Sequence, residues 1–256
     1  MFLTLILSSF LTFMELNCEN LFDTRHDSLK NDLEFLPDGS YKWTPYRYWA
    51  KLNHLGQEIV AQSNPIPDFV AMCEVENDSV MFDLTRRSLL RNAGYEYVMT
   101  SSPDERGIDV ALLYQPASFA LLHSHSIRIK PLPDTRPTRD ILYASGLVIT
   151  GDTLHVFVVH APSRRGGEQA SRPYRLQVAD RLAAAVDSIY AESRDAKIIV
   201  AGDFNDYADS PALKRLYQHH LINISHDAQG AHGAKATYRW HGEWRSLDQI
   251  MCSPTM

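Results

Sequence analysis

The sequence predicts an α/β (α+β) fold of buried sheets covered by helices, and three observations predict it. Eight short runs rich in Val, Ile, Leu and Tyr recur along the chain, each bounded by polar turns, which is the pattern of strands. Two longer segments between them carry apolar residues at helical spacing instead. Acids, amides and a histidine fall repeatedly where the apolar runs end, as a shared cleft at one edge of a sheet requires.

The elements follow in chain order. The opening "MFLTLILSSFLTF" is apolar, lacks a basic leader and an A-x-A cleavage site, and is too short to span a bilayer unless the next strand is sacrificed. Residues 1–12 fit a signal or anchor remnant or a buried first strand, and periodicity does not separate the two. A remnant implies a secreted, periplasmic or membrane-tethered protein, and a strand a cytoplasmic one. "FLTFMELN" (10–17) reads as a strand, closed by Asn17 and Glu19, and residues 25–47 read as a long polar surface loop. A helix is expected over 48–62, where Trp49, Leu52, Leu55, Ile59 and Val60 share a face. Strands are expected at "DFVAMCE", "YEYVMT", "IDVALLY", "LYASGLVIT" and "LHVFVVHA", then a second helix over 171–193 with Ser171 as cap and Pro173 in its early turn. "KIIVAGD" and "SLDQIMCS" complete the strands.

No Gly/Ser-rich linker, repeat or low-complexity tract divides the 256 residues, so one domain is expected, and 45% hydrophobic content suffices for a substantial core. A net charge of −6 excludes a global basic field for nucleic acid, so any phosphate must be met locally. Cys18, Cys73 and Cys252 contain no CxxC pair and read as small buried hydrophobes or free thiols.

The segment "AGDFND" (201–206) gathers Asp203, Asn205 and Asp206 where a buried strand runs out. One such polar residue is ordinarily a turn former. Here the same placement recurs at Asn17, Glu19, Glu74, Glu76 and His160, while Asp248 interrupts the last strand. A site drawn from Glu74, Asp203, Asn17 and Asn205 offers oxygen ligands and amide donors, which suits Mg²⁺ or Mn²⁺ rather than zinc. Walker A, HExxH and GxSxG motifs are absent. Water attacking phosphorus needs a Lewis acid, a carboxylate to orient the water and a donor for the leaving oxygen, roles open to the Glu74 site, Asp203 and His160. Arg164 and Arg165, with Arg172 and Arg175 nearby, fit either phosphate contact or a solvated helix face. Asp109 reads as core strand with the cleft as its alternative. No run interleaving basic and aromatic residues is identified. His219, His220, His226, His232 and His241 are irregularly spaced and read as solvated loop histidines.

"NCENLFD", "CEVEN", "GIDVALLY", "HAPSRRGG", "GDFND" and "SLDQI" occur in an order and spacing that resembles the endonuclease/exonuclease/phosphatase superfamily, metal-dependent phosphoesterases related to pancreatic-type deoxyribonuclease and exonuclease III-like enzymes. The resemblance runs from residue 13 to the end. It implies a four-layered α/β sandwich, with two mixed sheets face to face, helices outside, and a cleft at one end. It further implies Glu74 as the principal metal-binding glutamate, with Asn17 supporting metal and phosphate and Glu19 a further acid near the metal. His160 corresponds to a donor to phosphate or leaving group, Asp203 and Asn205 to the pair that orients water and holds phosphate, and Asp248 to the aspartate that orients a histidine. Asp206 shapes the turn.

In the family that histidine follows the "LDQI" strand within a Ser-Asp-His triplet, which this sequence lacks, so a C-terminally incomplete member is expected, with "SLDQIMC" left as an unpaired edge. The function expected is divalent-metal-dependent phosphodiester hydrolysis, nuclease-like, by a monomer without an obligate protein partner. The alternatives are a phosphatase or a lipid or small-molecule phosphodiesterase, with a phosphomonoester substrate in the first case, or a non-catalytic phosphate-binding protein.

Overall fold

A computed structural model of the chain describes residues 10–61, 65–133, 135–230 and 233–256. Residues 1–9, on which the choice between remnant and strand mostly rests, and His232 lie outside them.

All eight expected strands form, as β1 (Phe13–Leu21), β2 (Phe69–Val75), β3 (Glu96–Met99), β4 (Asp109–Tyr114), β6 (Ile141–Val148), β7 (Thr153–His160), β8 (Lys197–Asp203) and β12 (Asp248–Cys252). Four strands were not expected: β5 (Phe119–Ile127), β9 (Ile222–Asn223), β10 (Tyr238–Trp240) and β11 (Glu243–Arg245). In β5 the residues between buried Phe119 and Ile127 are largely exposed, so it is a sheet edge that never shows an apolar run. The helices are α1 (Pro45–Ala61), α2 (Asp78–Phe82), α3 (Glu168–Glu192) and α4 (Pro211–Tyr217). Among the described residues no helix is long and apolar enough to cross a membrane.

One sheet has the order β1-β2-β4-β3 and the other β5-β6-β7-β8-β12-β9. Period-two alternation sorts the core side chains into layers. Val70 and Met72 pack outward on Tyr48, Leu52, Leu55 and Ile59 of α1. Phe157, Val159, Ile198 and Val200 pack outward on Val178, Leu182 and Val186 of α3 and Leu213 of α4. Phe69, Ala71, Cys73, Val156, Val158, Ile199 and Ala201 fill the space between the sheets. Sheets buried on both faces explain why these strands read as continuous apolar runs. The result is the expected four-layered sandwich with two mixed sheets.

Three expectations are corrected. Helix α3 begins at Glu168, ahead of the expected Ser171 cap; Ser171 lies inside it, its hydroxyl donating to Gly167 O at 2.7 Å, and Pro173 is also internal. The 25–47 segment is not merely a surface loop, because Phe35 is buried and stacks on Phe22 with 4.1 Å between ring centroids. Strand β12 is no open edge: β9 pairs with it through Met251–Asn223 and Cys252–Ile222, and Ile224 N donates to Ile250 O.

β7 and β8 run parallel, with Val159 opposite Gly202 and His160 opposite Asp203. Gly202 has φ of +141°, and a Cβ there would lie 1.9 Å from Val159 O. Only glycine lets the two backbones approach so closely beside the strand ends. Gly202→Ala is expected to cost at least about 2 kcal/mol in urea unfolding, since both the left-handed backbone and the contact oppose a side chain.

Candidate active site

The alternation that builds the core also delivers the site. Inward-facing Val156 and Val158 are followed at the same parity by His160, Ile199 and Ala201 by Asp203, and Phe13 by Glu15 and Asn17. β12 is antiparallel to β8, so it starts where β8 ends and sets Asp248 opposite Asp203, with Ile250 inward after it. Parity would send Glu74 outward, next to inward Cys73. A register skip between Cys73 and Val75, with φ of +60° at Glu74, breaks the alternation there. Glu19, Asn20 and Asn205 are also left-handed, so four of the seven non-glycine residues of positive φ among the described residues gather at this end of the sandwich. Such concentrated backbone strain marks functional sites.

The side chains converge. His160 Nε2 lies 3.7 Å from Glu74 Oε1 and 3.8 Å from Asp203 Oδ2, so one atom stands near both carboxylates. Asp203 Oδ2 accepts from Asn17 Nδ2 at 3.1 Å and Asn205 Nδ2 at 3.2 Å, and Oδ1 accepts from Asn205 N at 2.7 Å. Glu74 Oε2 accepts from Asn20 N at 2.8 Å, and its Oε1 is 3.8 Å from Arg106 Nη2. Arg106 also donates to Asn20 Oδ1. Arg139 Nη2 and Asn205 Nδ2 both donate to Ala161 O, at 2.8 and 3.0 Å.

Charge is crowded here. Burial, the Asp248 carboxylate and Glu74 push Asp203 up to about 7, against the Asn205 N–H. Burial raises Asp248 as well, a hydrogen bond from Thr237 opposing it. Glu15, raised well above the usual carboxylate range by burial and by Asp248 and Asp203, leaves Oε1 buried without a hydrogen-bond partner. His160 is held well below its ordinary value by burial, Arg139 and Arg106, so it is neutral, and its buried Nδ1 has no partner.

A divalent cation fits this donor set. Among the described residues no three His, Cys, Asp or Glu side chains form a ready cage. Mg²⁺ does not need one, since it binds through one or two carboxylates and keeps waters and substrate phosphate. Among the described residues Glu74 Oε1 accepts no hydrogen bond, with His160 Nε2 at 3.7 Å and Arg106 Nη2 at 3.8 Å, and the repulsion among Glu74, Asp203 and Asp248 is what a cation relieves.

The structure therefore brings together Asn17, Glu74, His160, Asp203, Asn205 and Asp248. Glu19 is exposed beyond Asn17, its N–H bonded to Asn17 Oδ1, and its carboxylate forms no ion pair among the described residues. Asp109 is buried, and Ser102 N donates to it, as does the Thr100 hydroxyl. The arginines divide. Arg164 lies 4.4 Å over the Tyr207 ring, Arg165 lines a neighbouring cavity, and Arg172 pairs with Glu168. Arg175 is wholly buried, with Nε donating to Asp206 Oδ2 at 3.0 Å and Nη1 to Ser171 Oγ at 2.8 Å. It holds the turn after Asn205 and is not free for substrate. His219 and His226 pair with Asp187 and Asp227. Sequence reasoning missed Arg106 and Arg139, which carry no local pattern. It also missed the β10–β11 hairpin, whose "YRWHGEWR" does interleave aromatic and basic residues around a His-Gly turn.

The Endonuclease/Exonuclease/phosphatase family matches residues 12–256. The chain belongs to this family. No curated protein matches the sequence. Among solved structures, it resembles the human Nocturnin catalytic domain with bound sulfate (TM-score 0.65, 19% identity, 95% of this chain and 83% of that one). It also resembles a mannosyl-6-phosphatase of Bacteroides thetaiotaomicron (0.63, 16%, 96% and 86%) and TDP2 of D. rerio with a single-strand DNA product (0.58, 16%, 96% and 85%). At such identities the likeness is one of fold. As a member of the family, the chain is a phosphoesterase by kind.

Two outcomes test the site. Arg175→Met should cost about 3–5 kcal/mol in denaturant unfolding by leaving Asp206 buried without its cation, and adding Asp206→Leu should recover much of it. An unfolded Asp titrates near 3.9 and Asp203 near 7, so the folded state binds the extra proton between those values. Stability is therefore lost as pH rises from about 4 to 7 and stays lost above. In EDTA, Asp203→Asn should show a smaller loss than wild type between pH 5 and 8.

Proposed function

We propose that the chain is a divalent-metal-dependent hydrolase of phosphoesters, using Mg²⁺ or Mn²⁺, in which water attacks phosphorus beside Asp203. The observation that carries this reading is the position of His160 Nε2 within 4 Å of both Glu74 and Asp203. Glu74 would hold the cation, with Asn17 and Glu19 as further candidate ligands, and the bound cation would supply positive charge to the phosphoryl oxygens. Asp203, fixed by Asn17 and Asn205, orients the attacking water and accepts its proton, and its value of about 7 suits a base working near neutrality. His160 is neutral; with Nδ1 facing no acceptor and Nε2 facing two carboxylates, its proton is assigned to Nε2, where it serves the phosphoryl or leaving oxygen. Asp248 faces Asp203 and raises it.

The nuclease reading has its own observation. Tyr238 and Trp240 stack at 6.4 Å on the exposed hairpin, Arg239 lies 5.5 Å over Trp244, and Arg245 lies 5.3 Å over Tyr207. Stacked aromatics with arginines suit unpaired bases, and the DNA-product complex of TDP2 is in keeping with this.

The test is hydrolysis of bis(4-nitrophenyl) phosphate and 4-nitrophenyl phosphate with Mg²⁺, Mn²⁺ or EDTA. Turnover should require the cation; undiminished turnover in EDTA refutes the metal. Glu74→Gln should abolish it and His160→Ala should lower kcat by roughly 10²–10⁴. A near-normal rate in the histidine variant removes His160 from the mechanism.

A further inference from the structure

We propose that the arginine-lined cleft beside the catalytic cluster is a second anion subsite, so that the substrate is a small phosphoester carrying a second phosphate in the same molecule. The proposal rests on the phosphoesterase reading above and names its substrate class.

The cleft has a volume of about 580 Å³ and is lined by Arg106, Arg136, Arg139 and Arg165, which come from three separate segments of the chain. That volume lies within the range of roughly 300–1,000 Å³ that encloses small molecules. Arg106 and Arg139 join it to the catalytic cluster, the first beside Glu74 and the second sharing Ala161 O with Asn205. Both are engaged: Arg139 also lies 3.4 Å from Asp104, and Arg106 donates to Asn20.

The two outer arginines differ. Among the described residues Arg136 has one ion pair, to Glu105 at 3.5 Å with both side chains solvated, a pairing that costs little to exchange for a ligand. Arg165 has no carboxylate within ion-pair distance among the described residues, and Glu34 is the one lining acid similarly free. A chain of net charge −6 thus places four guanidinium groups in one cleft. The planar fork of each matches phosphate oxygens two at a time. Gln177 Nε2 donates to Lys130 O at 2.6 Å, tying α3 to the segment that carries Arg136. Pro131 and Gln177 line the cleft on that side, and its volume suits a compact ligand.

Matched pairs differing by one phosphate test the proposal: adenosine 3′,5′-bisphosphate against adenosine 5′-monophosphate, and glucose 1,6-bisphosphate against glucose 6-phosphate. With Mg²⁺, kcat/KM should favour the bisphosphate of at least one pair by about tenfold or more, the scale of a lost charged hydrogen bond. In Arg165→Ala/Arg136→Ala that ratio should fall toward one. A ratio near one for both pairs in the wild type, or one that survives the double substitution, overturns the proposal. So does a preference for a 5′-phosphorylated oligonucleotide over every bisphosphate. A binding arm separates this from failure of the phosphoesterase reading: in EDTA, the bisphosphate should raise the melting temperature more than the monophosphate, and only with both arginines present. That shift without any turnover would leave the subsite standing while the hydrolase reading falls; equal shifts would remove the subsite.

Discussion

The hydrogen bond from Asn17 to Asp203 joins the two sheets where they open, and the working end of the sandwich depends on it. Glu15, Glu74, Asp203 and Asp248 come from four strands, and each strand is held in place by an apolar core that takes no account of charge. Left alone, such acids would splay the sheet ends or bind protons. Amide groups counter them without adding charge: Asn17 and Asn205 on Asp203, and the Asn20 N–H on Glu74. Behind this row Cys73 closes the layer, its thiol donating to Val159 O at 3.3 Å and accepting from Asp203 N at 3.5 Å. Burial raises that thiol well above its ordinary value, which suits a packing group rather than a nucleophile.

The proposed chemistry and the proposed substrate contacts occupy different parts of the fold. Asn17, Glu74, His160, Asp203 and Asp248 stand on strands fixed by the core, and the turn that carries Asn205 is anchored by the buried Arg175–Asp206 pair. Rigid support of this kind holds reacting groups within the tolerance catalysis needs. Arg106, Arg136 and Arg165, and the β10–β11 hairpin, stand on connections, where side chains change without disturbing the sheets. The same fold is found in a mannosyl-6-phosphatase and in TDP2 bound to a single-strand DNA product.

Much of this was legible in the sequence because burial on both faces writes strands as apolar runs, and because a polar residue ending such a run is conspicuous. Asn17, His160, Asp203 and Asp248 were readable for that reason. β5 was not, since an edge strand with one solvated face carries no run, and neither was the start of α3, where glycines precede a helix whose internal serine and proline mimic a cap. Arg106 and Arg139 lie in loops without periodicity; nothing local distinguishes them from solvated arginines.

The sequence by itself determined the layers, because the period of two sorts each strand's side chains before any partner is known, and it determined the acid, amide and imidazole set at the strand ends. Tertiary structure alone decided that these ends coincide. Parallel pairing of β1 with β2 and of β7 with β8 brings four C-terminal ends to one side, while antiparallel β12 contributes its first residue there. It also decided Glu74, which alternation would have turned toward α1 and a left-handed backbone turns to the cleft instead. Strand direction, register and backbone hand are settled by hydrogen bonds between segments far apart in the chain, and no local pattern of residues encodes them.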